Sequence, residues 1–282
     1  MPEVLSPEVT RAFLEERLGL LKQLPTFGEP DEEMYSSYSM ARKFAMAHSH
    51  KTNRGKREIA IDLDMNVPEL EALFIGQSVL DIGCGQGKFS NEIARLKKTT
   101  VTALDQDAEV MAGLQETKHL RKIQGSGSNV QDVLGDEQFD IVLSAYSSLH
   151  WATDGDEKVG AITSALRATR VGGKTIFIPV SADIDHREAN RRGLKVGIIR
   201  GYNGTATKDQ IEANRDVVKV TDWLEVLALA TLFEKEESGQ IDCTFVSSRD
   251  NSRGIPIANR LSGPNDPRQE RYSAIVDVLS EV

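Results

Sequence analysis

The sequence predicts an α/β fold built on a doubly wound, mostly parallel sheet, and two patterns in the middle of the chain predict it. From residue 77 onward, short apolar segments alternate with segments of helical periodicity. The first apolar segment runs into a turn with glycine at every second position, VLDIGCGQG. Apolar strands separated by helices of this length indicate a parallel sheet that is covered by helices on both faces.

The apolar pattern predicts five strands in this region, with helices between them. The predicted strands are 78–83, 99–105, 121–125, 139–146 and 174–180. The predicted helices are 88–96, 108–120 and 157–169. Further along, 208–233 is predicted to be largely helical, 239–247 to be a strand, and 271–280 to be either a closing strand or a short helix.

The residues before the first strand are predicted to form a helical cap over residues 1–70. Its first helix begins at Ser6-Pro7-Glu8, which offers a capping serine, a proline in the first turn and an acid at the positive end of the helix dipole. A second helix is predicted around 34–48. After the fifth strand, a glycine-rich stretch at about 181–225 is predicted to be an insertion that closes over the open edge of the sheet.

Composition and charge exclude several classes of protein. The 282 residues are 39% hydrophobic and 27% charged, which is ordinary for a globular protein. No apolar run approaches the ~20 residues of a membrane span, and the first residues do not have a signal peptide's basic start and apolar core. We therefore expect a cytoplasmic protein without a membrane partner.

The net charge of −9 argues mildly against a nucleic-acid partner, because phosphate binding needs basic clusters. A basic run from Lys51 through Arg54 and Lys56 to Arg57 is predicted to be a solvated loop, since no interleaved aromatic residues could stack on bases. The two cysteines, Cys84 and Cys243, lie far apart, and neither they nor the histidines have metal-ligand spacing. The sequence thus predicts a small-molecule substrate and no metal.

The glycine turn distinguishes between two kinds of nucleotide-like ligand. A dinucleotide-binding turn reads G-x-G-x-x-G, but the position of its third glycine is Lys88 here, and the glycines are Gly83, Gly85 and Gly87. Asp81, inside the apolar run, would repel a pyrophosphate and attract a ligand that carries an ammonium group. This favours S-adenosylmethionine, which has a sulfonium and an α-amino group but no phosphate.

On these residues, the stretch from about 70 to 180 resembles the class I S-adenosylmethionine-dependent methyltransferases. The resemblance implies a Rossmann-like, seven-stranded sheet, with residues 71–282 as the cofactor-binding domain. It also implies that Asp105, at the end of the second strand, accepts hydrogen bonds from both ribose hydroxyls, although such an aspartate can instead cap a helix. The predicted cofactor-binding residues are Asp81, Gly83, Cys84, Gly85, Asp105, Gln106, Ser128, Asn129, Ser144 and Ala145.

The chain departs from the family before the fourth strand. Relatives carry G-D-A there, with the aspartate on the adenine amino group, whereas this chain has Ser128 at that position in GSGSNVQDVLGDEQFD. Ser128 or Asn129 is predicted to make neutral contacts with the adenine, and Asp132 is a spare acid nearby. The alternative is that this segment is only a polar loop.

The segment after the fourth strand, SSLHW, resembles methyltransferases of small carboxylic acids, including juvenile hormone acid and trans-aconitate methyltransferases. The resemblance implies that His150 and Trp151 face the methyl acceptor, as the predicted catalytic residues. A carboxylate acceptor, with a pKa of ~4, is already ionised at neutral pH and needs no base. An amine or phenol acceptor would need one, and His150 is the candidate.

Two tyrosines of the predicted cap are further candidates for substrate binding. The faces of Tyr35 and Tyr38 could line the methyl site beside the sulfonium, or the two rings could simply pack in the core of the cap. The surrounding stretch YSSYSMARKFAMAHSH is faintly similar to amine methyltransferases of the histamine type. N- or C-methylation of a natural-product-like molecule, and cofactor binding without catalysis, therefore stay open as alternatives.

Overall fold

The computed structural model describes residues 6–23, 28–36, 38–39, 54–182, 208–248 and 271–282. The strands are β1 (Ser78–Ile82), β2 (Thr100–Asp105), β3 (Leu120–Gln124), β4 (Phe139–Ala145), β5 (Thr169–Ala182), β6 (Ile241–Ser248) and β7 (Arg271–Val278). The helices are α1 (Pro7–Lys22), α2 (Lys56–Asp62), α3 (Val67–Phe74), α4 (Lys88–Ile93), α5 (Ala108–Met111), α6 (Gln131–Leu134), α7 (Ser148–Trp151), α8 (Gly155–Ala168) and α9 (Lys208–Glu237).

The strands form one seven-stranded sheet in the order β3-β2-β1-β4-β5-β7-β6. The pairs among the first five strands are parallel, whereas β7 runs antiparallel to both β5 and β6. The predicted doubly wound, mostly parallel sheet is confirmed. Of the two alternatives for residues 271–280, the strand is the correct one.

Hydrophobic side chains point away from both faces of the sheet, as expected when successive side chains alternate between two covered faces. On β1, Val79 packs in a core that includes residues of α2, α3 and α4. Its neighbour Leu80 packs in the opposite core, with residues of α8, α9 and α1. Among the described residues, the sheet is therefore the central layer between two helical layers.

The predicted helix at 108–120 is wrong beyond Met111. Asp107 caps the start of α5, but Gly113 then follows, and glycine costs about 1 kcal/mol relative to alanine inside a helix. The chain folds back instead, with the Thr117 amide donating to the Leu120 carbonyl at 2.8 Å. The ammonium of Lys122 donates to the carbonyls of Met111 (3.3 Å) and Leu114 (3.0 Å).

The predicted cap and insertion are only partly covered by the described residues. In the cap, α1 contacts β6 and α9, whereas α2 contacts α3, α4 and β6. Residues 40–53, which hold most of the predicted second helix, lie outside the described residues. So do residues 183–207 of the insertion, and its remainder, from residue 208, is the first part of α9. The boundaries at residue 70 and at 181–225 stay predictions.

None of the described helices is long and apolar enough to cross a membrane.

Candidate functional site

The candidate site lies where the strand order reverses. β1 pairs with β2 on one side and with β4 on the other, so the connections after β1 and β4 lead away in opposite directions and leave a crevice at the carboxyl ends of these strands. The glycine turn follows β1 at this edge, and the segment from Tyr146 to Trp151 follows β4. Ile82 is in register with both Leu104 and Ser144, which brings the three strand ends together.

The glycine turn needs glycine for two different reasons. Gly83, Gly85 and Gly87 have φ of 71°, 54° and 73°, in the left-handed region that favours glycine. A Cβ at Gly83 would lie 2.2 Å from the Cβ of Ser147, so the turn approaches the segment after β4 too closely for any side chain. A Cβ at Gly85 would meet nothing within 4 Å. The turn thus presents its backbone at Gly85 to open space.

Asp105 holds the turn from the end of β2. One carboxylate oxygen accepts the Gly85 amide at 2.9 Å, and the other accepts the Asp107 amide at 3.0 Å. The cap of α5 is Asp107, whose carboxylate accepts the amides of Glu109 and Val110. A carboxylate oxygen can accept more than one hydrogen bond, so the bonds to Gly85 and Asp107 leave Asp105 with acceptor capacity for ribose hydroxyls.

Asp81 is a buried carboxylate below the turn, with 4% of its surface exposed. It accepts a hydrogen bond from the Ser90 hydroxyl of α4. Burial raises the pKa of Asp81 to about 6; the Ser90 bond opposes that rise, and the negative charge of Asp105 adds to it. Two carboxylates therefore make this end of the crevice electrostatically negative, which favours a cationic ligand.

Cys84 contributes backbone rather than thiol chemistry. Its amide donates to the Leu104 carbonyl at 3.1 Å, and its Sγ lies 3.6 Å from the Gly85 carbonyl. Burial raises the pKa of the Cys84 thiol well above its usual range, and the charges of Asp81 and Asp105 raise it further. The thiol therefore stays protonated and is a poor nucleophile.

The loop after β3 packs against the end of β1. A Cβ at Gly127 would lie 2.5 Å from both the Ile82 Cγ2 and the Ser148 hydroxyl oxygen, so this loop fits only without a side chain there. The next residue, Ser128, is half-buried, whereas Asn129 is exposed and donates to the Asp132 carboxylate. The loop is thus fixed at the end of β1, and contact of Ser128 or Asn129 with the adenine stays a prediction.

Three further predicted cofactor residues lie at the strand ends. Gln106 is exposed after β2, and its backbone carbonyl accepts a hydrogen bond from the side-chain Nε2 of Gln124 at 3.2 Å. Ser144, on β4, is buried, and its hydroxyl oxygen lies 2.7 Å from that of Ser147. Ala145 follows it, half-buried, as the last residue of β4. Their contact with the cofactor stays a prediction.

On the acceptor side, the segment after β4 begins at a strained residue. Tyr146 has a φ of 53°, which is uncommon for a bulky residue. Its hydroxyl donates to the Asp62 carboxylate of α2 at 3.0 Å, and its amide donates to the Ile178 carbonyl at 2.5 Å. The guanidinium carbon of Arg54 lies 3.5 Å from the centre of its ring.

His150 and Trp151 extend this aromatic group. The ring of His150 lies 5.9 Å from that of Tyr146 and 5.0 Å from that of Trp151, in both cases edge to face. The indole N–H of Trp151 donates to the Tyr146 carbonyl at 2.8 Å. The structure thus brings both predicted catalytic residues to the strained turn, and it gives the Trp151 N–H a partner within the protein.

Tyr35 and Tyr38 lie in a separate hydrophobic cluster with α9. Tyr38 is 1% exposed and packs with Val220 and Leu224. Tyr35 is partly buried in the same cluster and is hydrogen-bonded to Trp223, and its burial raises its pKa. This placement agrees with the alternative of core packing, and a role in substrate binding stays a prediction for both residues.

Sequence reasoning missed the residues that connect distant segments: Arg54, Asp62, Ser147 and Ser148. Arg54 was predicted to lie in a solvated basic loop, yet it is half-buried over Tyr146. Its neighbour Lys56 pairs with Glu71 of α3. No local pattern signals such contacts. The serine pair after Tyr146 was a possible signal, since small side chains allow two chain segments to approach closely.

The residues present fit the predicted cofactor. The open space at Gly85, the acceptor capacity of Asp105 and the negative charge near Asp81 suit a ligand with a ribose diol and an ammonium group. Within the described residues, the Ser148 hydroxyl is buried without a hydrogen-bond partner, as expected of a polar group that awaits a ligand. The described ranges contain no group of three or more His, Cys, Asp or Glu residues arranged to hold a metal.

Comparison with known proteins agrees with this description of the site. Residues 79–173 match the family model of the methyltransferase domain. That match spans the glycine turn, Asp105 and the segment through Trp151. No curated protein matches the sequence.

Three solved structures illustrate the range of similar proteins. An arsenic(III) S-adenosylmethionine methyltransferase from Chlamydomonas reinhardtii is 18% identical, with a TM-score of 0.45, and the match covers 74% of this chain and 65% of that one. A sugar N-methyltransferase from a Streptoalloteichus species is 18% identical, with a TM-score of 0.36 and coverages of 48% and 51%. A plantazolicin methyltransferase in complex with a triazolic analogue and S-adenosylhomocysteine is 13% identical, with a TM-score of 0.45 and coverages of 97% and 99%.

The chain spans less than two thirds of the length of the arsenic and sugar enzymes. At these identities, none of the three structures assigns an acceptor to this chain.

Proposed function

We propose that this chain methylates a small molecule, with a carboxylate oxygen as the first candidate acceptor. Its residues 79–173 match the methyltransferase domain, and S-adenosylmethionine is the methyl donor. One observation carries the cofactor half of the proposal. The Asp105 carboxylate accepts the Gly85 amide at 2.9 Å, at a turn whose open side could admit a ligand.

When bound, S-adenosylmethionine supplies a methyl group on a positively charged sulfur. The residues of this chain bind and orient. Asp105 and the backbone of the glycine turn would hold the ribose, and the buried Asp81 would attract the ammonium group. Holding two reactants in a fixed relative orientation supplies much of the rate of a displacement reaction, so positioning is the main task of the protein.

The acceptor side favours an oxygen that is already ionised. A carboxylate needs hydrogen-bond donors and a wall that orients it, and it needs no base. His150, half-buried between Tyr146 and Trp151, can donate a ring N–H to it. Trp151 would contribute the face of its ring, because its own N–H donates to the Tyr146 carbonyl.

An amine or phenol acceptor is the second candidate, and His150 is the observation that favours it. The imidazole is half-buried at the end of β4 and could take up the proton that such an acceptor releases. Replacing His150 with alanine would then lower kcat for the amine or phenol, because the group that accepts the proton is lost. On a carboxylate acceptor, the same change would mainly raise KM.

The proposal is tested first by calorimetry with S-adenosylhomocysteine. The wild-type chain should bind it, and Asp105→Ala should weaken binding by about 10- to 100-fold, as expected for lost hydrogen bonds to a charged group. Asp107→Ala is the matched control, since it removes a carboxylate of the same turn that caps α5, and it should leave the affinity within about twofold. A folded wild-type protein that does not bind S-adenosylhomocysteine would refute the proposal.

The acceptor is tested second, with labelled S-adenosylmethionine and a panel of small carboxylic acids, amines and phenols. Methyl esters formed from the acids are the expected product. Methylation of amines alone would replace the first candidate with the second. Cofactor binding without methylation of any member of the panel would favour a protein that binds the cofactor without catalysis.

A further inference from the structure

The strained backbone of Tyr146 is held by contacts that come from outside β4. A residue in the left-handed region costs roughly 1–2 kcal/mol, and such a conformation persists only when its surroundings fix it. Here the hydroxyl donates to Asp62 on α2 and the amide donates to Ile178 on β5. Tyr146 and Asp62 are 8% and 3% exposed. The ring is therefore fixed in the position that faces Arg54 and His150.

Arg54 is the charged group that this ring orients. Its guanidinium carbon lies 3.5 Å from the centre of the Tyr146 ring, a distance of face-to-face stacking. Stacking uses the flat face of a guanidinium, whereas its five N–H donors lie in the plane and point outward from the edge.

The crevice carries negative charge, so an anionic acceptor would need a cation such as Arg54 to bind there. Asp81 and Asp105 give the cofactor end a negative potential, which is why Asp105 helps to raise the pKa of Asp81. The whole chain carries a net charge of −9. An anionic acceptor entering this crevice would be repelled unless a positive group faced it. Arg54 and His150 pack on the same ring at the end of β4, on the side where the acceptor is expected.

We propose that Arg54 binds a planar anionic group of the methyl acceptor, a carboxylate above all, and that Tyr146 is the residue that positions it. The inference rests on the proposed function and adds the residue that selects the charge of the acceptor. A guanidinium edge matches a carboxylate with two parallel hydrogen bonds. His150 would then orient the oxygen that is methylated.

The test compares acids with their own primary amides as acceptors: aliphatic and aromatic monocarboxylates, dicarboxylates and the matched amides, each assayed with labelled S-adenosylmethionine. Arg54→Gln should raise KM for the acids by about 10- to 100-fold, the range expected for charged hydrogen bonds. It should leave KM for any amide that is methylated, and the affinity for S-adenosylhomocysteine, within about twofold.

Two variants separate binding from a structural effect. Lys56→Gln, which removes a cation two residues away that pairs with Glu71, should leave KM for the acids unchanged. Tyr146→Phe keeps the ring but removes the bond to Asp62, and it should raise KM for the acids by a smaller factor. In Arg54→Ala, added ethylguanidinium should restore part of the acid turnover, which a purely structural defect would not allow.

Equal losses for acids and amides in Arg54→Gln, or equal effects of Arg54→Gln and Lys56→Gln, would overturn the inference while the proposed function stands. If the wild-type chain binds S-adenosylhomocysteine but methylates amines and no acid, the proposed acceptor class fails and the role of Arg54 fails with it. Failure to bind S-adenosylhomocysteine at all would instead refute the proposed function at its first step.

Discussion

Gly83 and Gly85 are two positions apart in one turn, and each is glycine for a different physical reason. Both have positive φ, at 71° and 54°. Only Gly83 also faces a neighbour, because a Cβ there would lie 2.2 Å from the Ser147 Cβ and 3.1 Å from the Ser147 Cα. At Gly85 the space around the missing side chain is open. The two residues therefore form a matched pair for mutation.

We expect Gly83→Ala to lower the free energy of unfolding by about 2–4 kcal/mol, the sum of backbone strain and overpacking against Ser147. Gly85→Ala should cost only about 1–2 kcal/mol, for the strained backbone alone. Urea denaturation followed by circular dichroism measures both. Equal losses in the two variants would contradict the close approach of Gly83 to Ser147.

Asp81 should make stability depend on pH. Its folded pKa, raised to about 6 chiefly by burial, exceeds the ~3.9 of an unfolded aspartate. The folded chain therefore keeps this proton at pH values where the unfolded chain has lost it, and ionisation of Asp81 disfavours folding as the pH rises from about 4 to about 6. Asp81→Asn removes the group. The unfolding free energy of the wild type, relative to this variant, should fall by roughly 2–3 kcal/mol over that range.

The ionisation of Asp81 should also govern the affinity for the cofactor. Only the charged carboxylate attracts an ammonium group, so the affinity for S-adenosylhomocysteine should weaken as the pH falls through about 6 in the wild type, since the carboxylate is then protonated. Calorimetry across this range is the measurement. Asp81→Asn should bind weakly with no step near this pH, and a step of equal size in both proteins would assign the titration to another group.

At the scale of elements, the turn between β4 and α7 is held by the indole of Trp151. Its N–H donates to the Tyr146 carbonyl at 2.8 Å. We expect Trp151→Phe to lower the free energy of unfolding by about 1–2 kcal/mol, for one lost hydrogen bond and its unsatisfied carbonyl, and also to raise KM for the acceptor, because the strained turn carries His150.

Trp223→Phe is the control for that variant, since Trp223 bonds to Tyr35 in the separate cluster with α9. It should cost a similar amount of stability and leave KM unchanged. Equal changes of KM in the two tryptophan variants would mean that the turn has no special influence on the acceptor.

The sequence predicted those strands and helices that a local pattern of residues determines. β1, β2 and β4 were placed to within about one or two residues, the usual error of boundary assignment, because buried parallel strands read as continuous apolar runs. The helix predicted for 108–120 was wrong beyond Met111, partly because the Lys122 ammonium bonds to the carbonyls of Met111 and Leu114. Helical periodicity does not record that contact.

The residues of the candidate site also fall into two groups, those that a local pattern predicts and those that only tertiary contacts reveal. The turn and Asp105 were predictable, since a spacing of glycines and a strand end lie in contiguous sequence. Arg54 was not, because its significance comes from stacking on Tyr146, a residue far along the chain. Nor could the sequence predict that the Trp151 N–H donates to a carbonyl of its own turn. Tertiary contacts decide such roles, and local patterns do not record them.

At the scale of the whole molecule, Arg11 attaches α1 to the far edge of the sheet. Its guanidinium donates to both carboxylate oxygens of Glu236 on α9, at 2.8 Å and 2.5 Å, and to the Cys243 carbonyl of β6 at 3.0 Å. It also lies over the rings of Phe233 and Phe245, at 5.8 Å and 5.5 Å. This one side chain joins α1, α9 and β6.

We expect Arg11→Lys to lower the free energy of unfolding by about 1–3 kcal/mol, because a lysine cannot reproduce the fork of hydrogen bonds. Lys174→Gln is the comparison, since it breaks the more exposed pair with Asp277 between β5 and β7, and it should cost about 0–1 kcal/mol. Thermal or urea unfolding measures both. A larger loss at Lys174 than at Arg11 would mean that α1 contributes little to the stability of the fold.

The order of the last three strands has a consequence for how the protein is made. β7 comes after β6 in the chain, yet it lies between β5 and β6 in the sheet. During synthesis, β5 and β6 therefore leave the ribosome before β7. Their edges stay unpaired until residues 271–278 have been synthesised and inserted between them. Open strand edges are where chains pair wrongly with one another. The nascent chain should thus depend most on chaperones in the interval between the emergence of β5 and that of β7, when the cofactor half of the sheet is already complete.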